Sequence, residues 1–245
     1  MGLLNKERNN FIQNHKIFKY TVYALGEVLI VTIGIFIAIQ LNNWNENRKT
    51  TNKVKGILKE IQTDLSYNRK QLQPVILWYK QRDSLIQLVK SKSLTVADYQ
   101  KNPELLTLIN FYNAKEIVKT GYLKLKDHID AVPKEYEDVL ADLNILYNQM
   151  VPMAERYAIV MESFNHRMHE RWALKYLWFS EPRDVTNIEA RIHHFLTSEE
   201  YQNDVRLYSM YSKDNYVAGL QYIDQFSEKV LKQLNDLDAK NSDIN

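Results

Sequence analysis

Residues Thr21 to Leu41, TVYALGEVLIVTIGIFIAIQL, form a near-continuous apolar run broken by one charge, Glu27. At 1.5 Å per residue, an α-helix of that length rises about 31 Å, enough to cross a hydrocarbon core about 30 Å thick. Tyr20 and Tyr23 stand at one end and Trp44 at the other, where amphipathic rings favour the membrane–water boundary. A run of this kind is a transmembrane helix, a secretory signal or the core helix of a soluble protein. Signal cleavage wants small residues one and three before the cut, and around Ala38 the partner position is Phe36. A core helix has no need of aromatic ends and tolerates more charge. The run therefore reads as one retained span over residues 21–41.

The remaining chain is expected to be helical, because five prolines and six glycines in 245 residues are too few for a mainly β or disordered chain. Net charge is only +2, but it is unevenly placed. Residues 1–20 carry +3 and residues 42–59 carry +4, which with Glu27 leaves −4 on the chain from Glu60 onward. The basic character belongs to the flanks of the apolar run, where anionic lipid is the expected partner, and no nucleic-acid face is indicated. Four Lys or Arg lie within about fifteen residues on each side, so the positive-inside rule ties. A short basic tail is harder to translocate than a long domain, which favours an N-terminus in the cytoplasm and a periplasmic body. The absence of cysteine excludes disulfides, thiolate metal sites and thiol nucleophiles.

After the span, Trp44, Asn47, Thr51, Val54, Leu58, Ile61, Leu65, Asn68 and Leu72 step by alternating threes and fours, the spacing of a coiled-coil seam. Read backwards, the stepping meets residues of the span, so one helix is expected from about Lys19 to Leu72. Pro74 is expected to break or kink it. Leu58, Ile61 and Leu65 face either the protein's own later helices or a second copy. Further on, Val75 to Lys92 reads as a helix, Pro103 as the start of another over PELLTLINFY, and Gly121 as a helix terminator. Pro133 opens a long apolar face that Pro152 kinks or restarts, and that continues to Trp172. After a turn-like stretch, SEPRDVTN, Asp184 or Thr186 could cap a helix from near Ile188. A last helix runs from about Glu199 to Leu237. The fold class is all-α: a basic tail (1–20), a transmembrane helix (21–41), a helical stalk (42–73), a helical bundle (74–237) and a polar tail (238–245).

Residues 19–46, KYTVYALGEVLIVTIGIFIAIQLNNWNE, carry Ala24, Leu25, Gly26 and Glu27 at the start of the span and Asn42, Asn43, Trp44, Asn45 and Glu46 at its exit. In this the chain resembles a bacterial family of single-span membrane proteins of unknown function, whose span opens "ALGE" and closes "NNWNE". The segment EIVKTGYLKLKDHIDAV is similar to that family's mid-chain "SLKSSGKLDLI", with Val118 and Lys119 departing from it. The resemblance implies an inner-membrane location and a helical body. It implies no activity and no site residues.

Two groups of residues are candidates for function. Glu27 is a costly charge inside a span, and it shares a stripe with Val31, Gly34 and Ala38, the last two forming a small-xxx-small pattern that permits close helix approach. It marks a self-association interface or a ring of carboxylates in a pore, or else it snorkels to the headgroups. On the body, Glu162, His166 and His169 with Glu189 and His193 have the types but not the spacing of a helical metal site. No second glycine lies within six residues of any glycine, which excludes a phosphate-binding loop. The expected function is a structural, scaffolding or signal-relaying component of a membrane complex, as a homo-oligomer or beside another membrane protein, with no cofactor and no catalysis. The alternative is an oligomeric membrane effector or pore, and a third reading is a metal-dependent helical enzyme.

Overall fold

Apolar residues at three-and-four spacing predict helices, and the computed structural model of the chain is helical throughout, with no strand among the described residues. It describes residues 3–181 and 185–242, and the side chains of residues 20, 22–181 and 187–240. The sequence-expected caps at Asp184 and Thr186, and the side chains of the basic tail before Tyr20, lie outside that set. The chain divides into two compact units, Met1–Val54 and Lys55–Asn245.

The first helix, α1, runs Leu3–Lys90 and contributes to both units. Its continuity corrects the expectation at Pro74, which lies inside the helix. Proline removes one donor and frees the carbonyl four residues earlier. Both Pro74 and Lys70 face solvent, so water can take that carbonyl's bond. The buried stripe passes on the opposite face through Leu65, Leu72, Val75, Tyr79, Ile86 and Val89, keeping the alternating step beyond the proline.

In the second unit, α2 (Val96–Lys101) starts at a capping box in which Asp98 accepts from the Thr95 backbone and hydroxyl at 2.7 and 2.6 Å. The helix expected from Pro103 is a 3₁₀ turn, Pro103–Thr107, capped by Asn102. It stops because Leu105, Leu108 and Ile109 are buried and the chain then runs without turn or bend from 111 to 119. Next come α3 (Thr120–Lys126) and α4 (Glu137–Ile145), then a π-helical stretch, Leu146–Met150, and α5 (Val151–Lys175). Pro152 supplies no amide, and the stretch just before it is widened so that Val151 N–H reaches Leu146 C=O five residues back. The remaining helices are α6 (Leu177–Ser180), α7 (Val185–Thr197), α8 (Glu199–Ser209) and α9 (Ala218–Ser242), with a second π-helical stretch, Met210–Val217, between the last two. The last helix, expected to end at about Leu237, continues to Ser242.

The core of this unit is aromatic at one end, where Trp172 meets Trp178, Phe195 and Tyr201 at ring separations of 5.5–6.1 Å. Elsewhere aliphatic residues such as Val139, Leu143, Met161, Leu220, Ile223 and Leu234 are buried together with tyrosines, among them Tyr79, Tyr147, Tyr208 and Tyr216.

Gly121 does not terminate a helix. It lies in the first turn of α3, with no positive φ, because α3 crosses α1 there too closely for a side chain. A Cβ at this position would lie 2.8 Å from Ile61 Cγ1 and 2.9 Å from the Ile61 backbone nitrogen. The second contact is with main chain and cannot rotate away. Gly121→Ala is therefore expected to cost about 1–3 kcal/mol in urea denaturation, and Ile61→Val is expected not to restore it, since the valine leaves the backbone clash in place.

Candidate functional site

The membrane candidates all lie on open surface. From Val22 to Leu41 every residue is exposed, including Ile30 at 71% and Phe36 at 61%, and the helix is long and apolar enough to cross a membrane. Glu27, Gly34 and Ala38 are exposed with them, and a Cβ built on Gly34 meets nothing within 4 Å. Thr32 returns its hydroxyl to Val28 C=O at 2.8 Å, satisfying itself locally as a hydroxyl in an apolar medium must. Leu58, Ile61 and Leu65 are placed differently. They are 4%, 0% and 0% exposed within one chain, Ile61 against α3, so the body itself fills that seam.

A second arrangement escaped the sequence reading. Residues 108–119 leave helical geometry, and there and at the two helix ends that border them the backbone groups that turn inward must find partners elsewhere. Side chains from five elements supply them. Asn68 of α1 pairs with Val118 as a strand would, donating to its carbonyl at 2.7 Å and accepting its amide at 2.9 Å. Asp64, one turn earlier, accepts Gly121 N–H at 2.8 Å. The hydroxyls of Tyr79 and Tyr216 accept Asn113 N–H and Lys115 N–H at 2.9 and 3.1 Å. Tyr208 donates to Phe111 C=O at 2.8 Å, Asn165 to Ile109 C=O at 2.9 Å and Arg191 to Leu106 C=O. The only hint in the sequence was Asn68, a polar residue standing in the apolar stripe of α1.

Burial raises the phenols of Tyr79, Tyr208 and Tyr216 above the ordinary tyrosine range, so they stay protonated. Arg191 is buried, and among the described residues no carboxylate pairs with it. Its guanidinium lies 5.6 and 5.4 Å from the rings of Trp178 and Phe195, and desolvation lowers its pKa. Asp204 is buried too, and that desolvation raises its carboxyl although Arg171 sits 2.5 Å away. Burial likewise lowers His169 and His194.

The metal candidates are not brought together. Glu162, His166 and His169 line an open groove of about 410 Å³ on α5, where Glu162 accepts the Tyr112 hydroxyl at 2.9 Å. Glu189 and His193 lie on α7 and do not line it. Among the described residues, no three His, Asp or Glu side chains are placed to hold a metal ion.

Residues 27–124 match a family of unknown function (DUF6090). That stretch holds both Asp64 and Asn68 and the segment through Gly121 that they grip. No curated protein and no solved structure matches the chain.

Replacing Asn68 by Ala strands the Val118 amide and carbonyl and is expected to cost roughly 2–4 kcal/mol, with faster hydrogen exchange at Val118 preceding any change in the aromatic end of the core. Acid is expected to weaken the body through its histidines. Below the ordinary imidazole value of 6.5, the unfolded chain binds protons that folded His169 and His194 resist, so stability falls as pH drops. Thermal melts of a His169→Gln, His194→Gln double variant should show a flatter profile between neutrality and mild acid.

Proposed function

We propose that this chain is a single-pass protein of a bacterial inner membrane, its helical body a structural, scaffolding or signal-relaying component of a membrane complex. The observation that carries the reading is the contrast in burial. The body buries most of its large apolar side chains and leaves the exposed ones, such as Leu77, Leu174 and Tyr222, scattered among polar residues, whereas the stretch from Val22 to Leu41 is open along its whole length. Such a patch is stable only against lipid or another apolar surface. The lysines and arginines on both flanks suit anionic headgroups, and the basic N-terminal tail favours a periplasmic body.

An oligomeric effector or pore is the second reading. It is favoured by Glu27, Gly34 and Ala38, which none of the described residues covers. In an oligomer packed through small residues, Gly34→Leu should separate the protomers. In a pore, Glu27→Gln should change cation preference while leaving the assembly intact. Native mass spectrometry in nanodiscs decides between assembly and monomer.

The anchoring test is fractionation. The protein should stay in the membrane pellet through high salt and urea, and its intact mass should include residues 1–41. Release by either wash, or a shortened mass, would remove the retained span. For orientation, Ser242→Cys creates a single thiol in a cysteine-free chain, and a membrane-impermeant maleimide should label it in cells whose outer membrane alone is permeabilised. Labelling only after complete lysis would reverse the topology.

A further inference from the structure

The segment gripped on its inner side has an outer side as well, and none of the described residues occupies that side. In extended backbone, successive amides point to opposite edges. With Asn113 and Lys115 turned inward to Tyr79 and Tyr216, the intervening Ala114 and the following Glu116 point outward. Among the described residues no group accepts the amides of Ala114 or Glu116, and residues 114–116 are exposed. This edge borders a groove of about 520 Å³ whose far wall is Tyr67 of α1, 52% exposed, with Leu123, equally exposed, at its end. Tyr67 also borders a second depression along α1, of about 590 Å³, between Lys59 and Lys70.

Charge sets the character of the surface. Lys119, Lys124, Lys175, Lys213 and Lys229 each have a carboxylate partner. Lys59, Lys70 and Lys115, like several lysines elsewhere on the body, have none among the described residues; what distinguishes this surface is that Glu116 is the one acidic residue lining the two depressions. We infer that this surface receives an extended, acidic segment of a partner protein. The segment adds alongside residues 114–116 by backbone hydrogen bonds, with side chains on Tyr67 and Leu123 and carboxylates on Lys59, Lys70 and Lys115. A twofold-related second copy would bring the same lysines face to face, so the occupant is a different polypeptide. The inference concerns the body alone and stands whether or not α1 enters a bilayer.

The test replaces Tyr67 with photo-reactive benzoylphenylalanine in the full chain in its native membrane, with Tyr222, 60% exposed on α9, as the control position. Mass spectrometry of the adduct should identify one other protein, cross-linked through an acidic stretch of a few residues. A triple variant, Lys59→Glu, Lys70→Glu and Lys115→Glu, should reduce the adduct about tenfold or more, and Glu116→Pro, which deletes an unused amide, should do the same, both at unchanged thermal melting. If either variant melts early, the other decides. Adducts confined to lipid or to this chain, no adduct above the Tyr222 control, or an adduct that survives both variants would overturn the proposal.

Discussion

The body of this protein is organised by the need to satisfy a length of backbone that makes no helix. In an all-helical unit nearly every peptide group is bonded within its own element, so the twelve residues 108–119 outside any helix are an expensive insertion. Here the bonds come from side chains on α1, α5, α7, α8 and the second π-helical stretch. Each donor or acceptor is useful only if its helix holds it at hydrogen-bond distance, so the segment fixes several helices relative to one another. It acts as an internal template around which the bundle closes.

That view explains residues that would otherwise look misplaced. Asn68 and Asp64 are nearly buried on the apolar face of α1, where a hydrophobic residue would pack better, and their partners are amides 50 and 57 positions away. Gly121 follows directly from the same contact, because the α3 backbone must come close enough to bond Asp64. Three buried tyrosines spend their hydroxyls on the same segment.

The helices were legible in the sequence because their signal is local and repetitive. Three-and-four spacing located the stripe on α1, the faces around Leu143 and Met168, and the last helix through Leu220 and Leu234. Punctuation was less reliable. Pro74 and Gly121 were read by their usual roles as breakers, but the cost of proline depends on which way the freed carbonyl faces, and the use of glycine depends on what crosses it. Neither fact is local. The clamp on residues 106–121 was invisible for the same reason, since an asparagine in an apolar stripe announces a partner without naming one. Of the functional candidates, the exposed run through Glu27, Gly34 and Ala38 was visible in composition alone. The outward edge at Ala114 and Glu116 could be seen only once Tyr79 and Tyr216 were known to occupy the inner one.

The chemistry of that inner edge has a consequence for the conditions the body tolerates. Most of its fastenings are neutral: two asparagine amides and three phenols. Salt screens charges and leaves such bonds alone, and the pH range over which carboxylates and imidazoles titrate does not touch them. Alkali does. Above about 10, a tyrosine in an unfolded chain releases its proton, whereas burial holds the protons on Tyr79, Tyr208 and Tyr216 in the folded one. The unfolded state then gains with every rise in pH, and the segment these phenols hold is the first part of the fold that strong base would set loose.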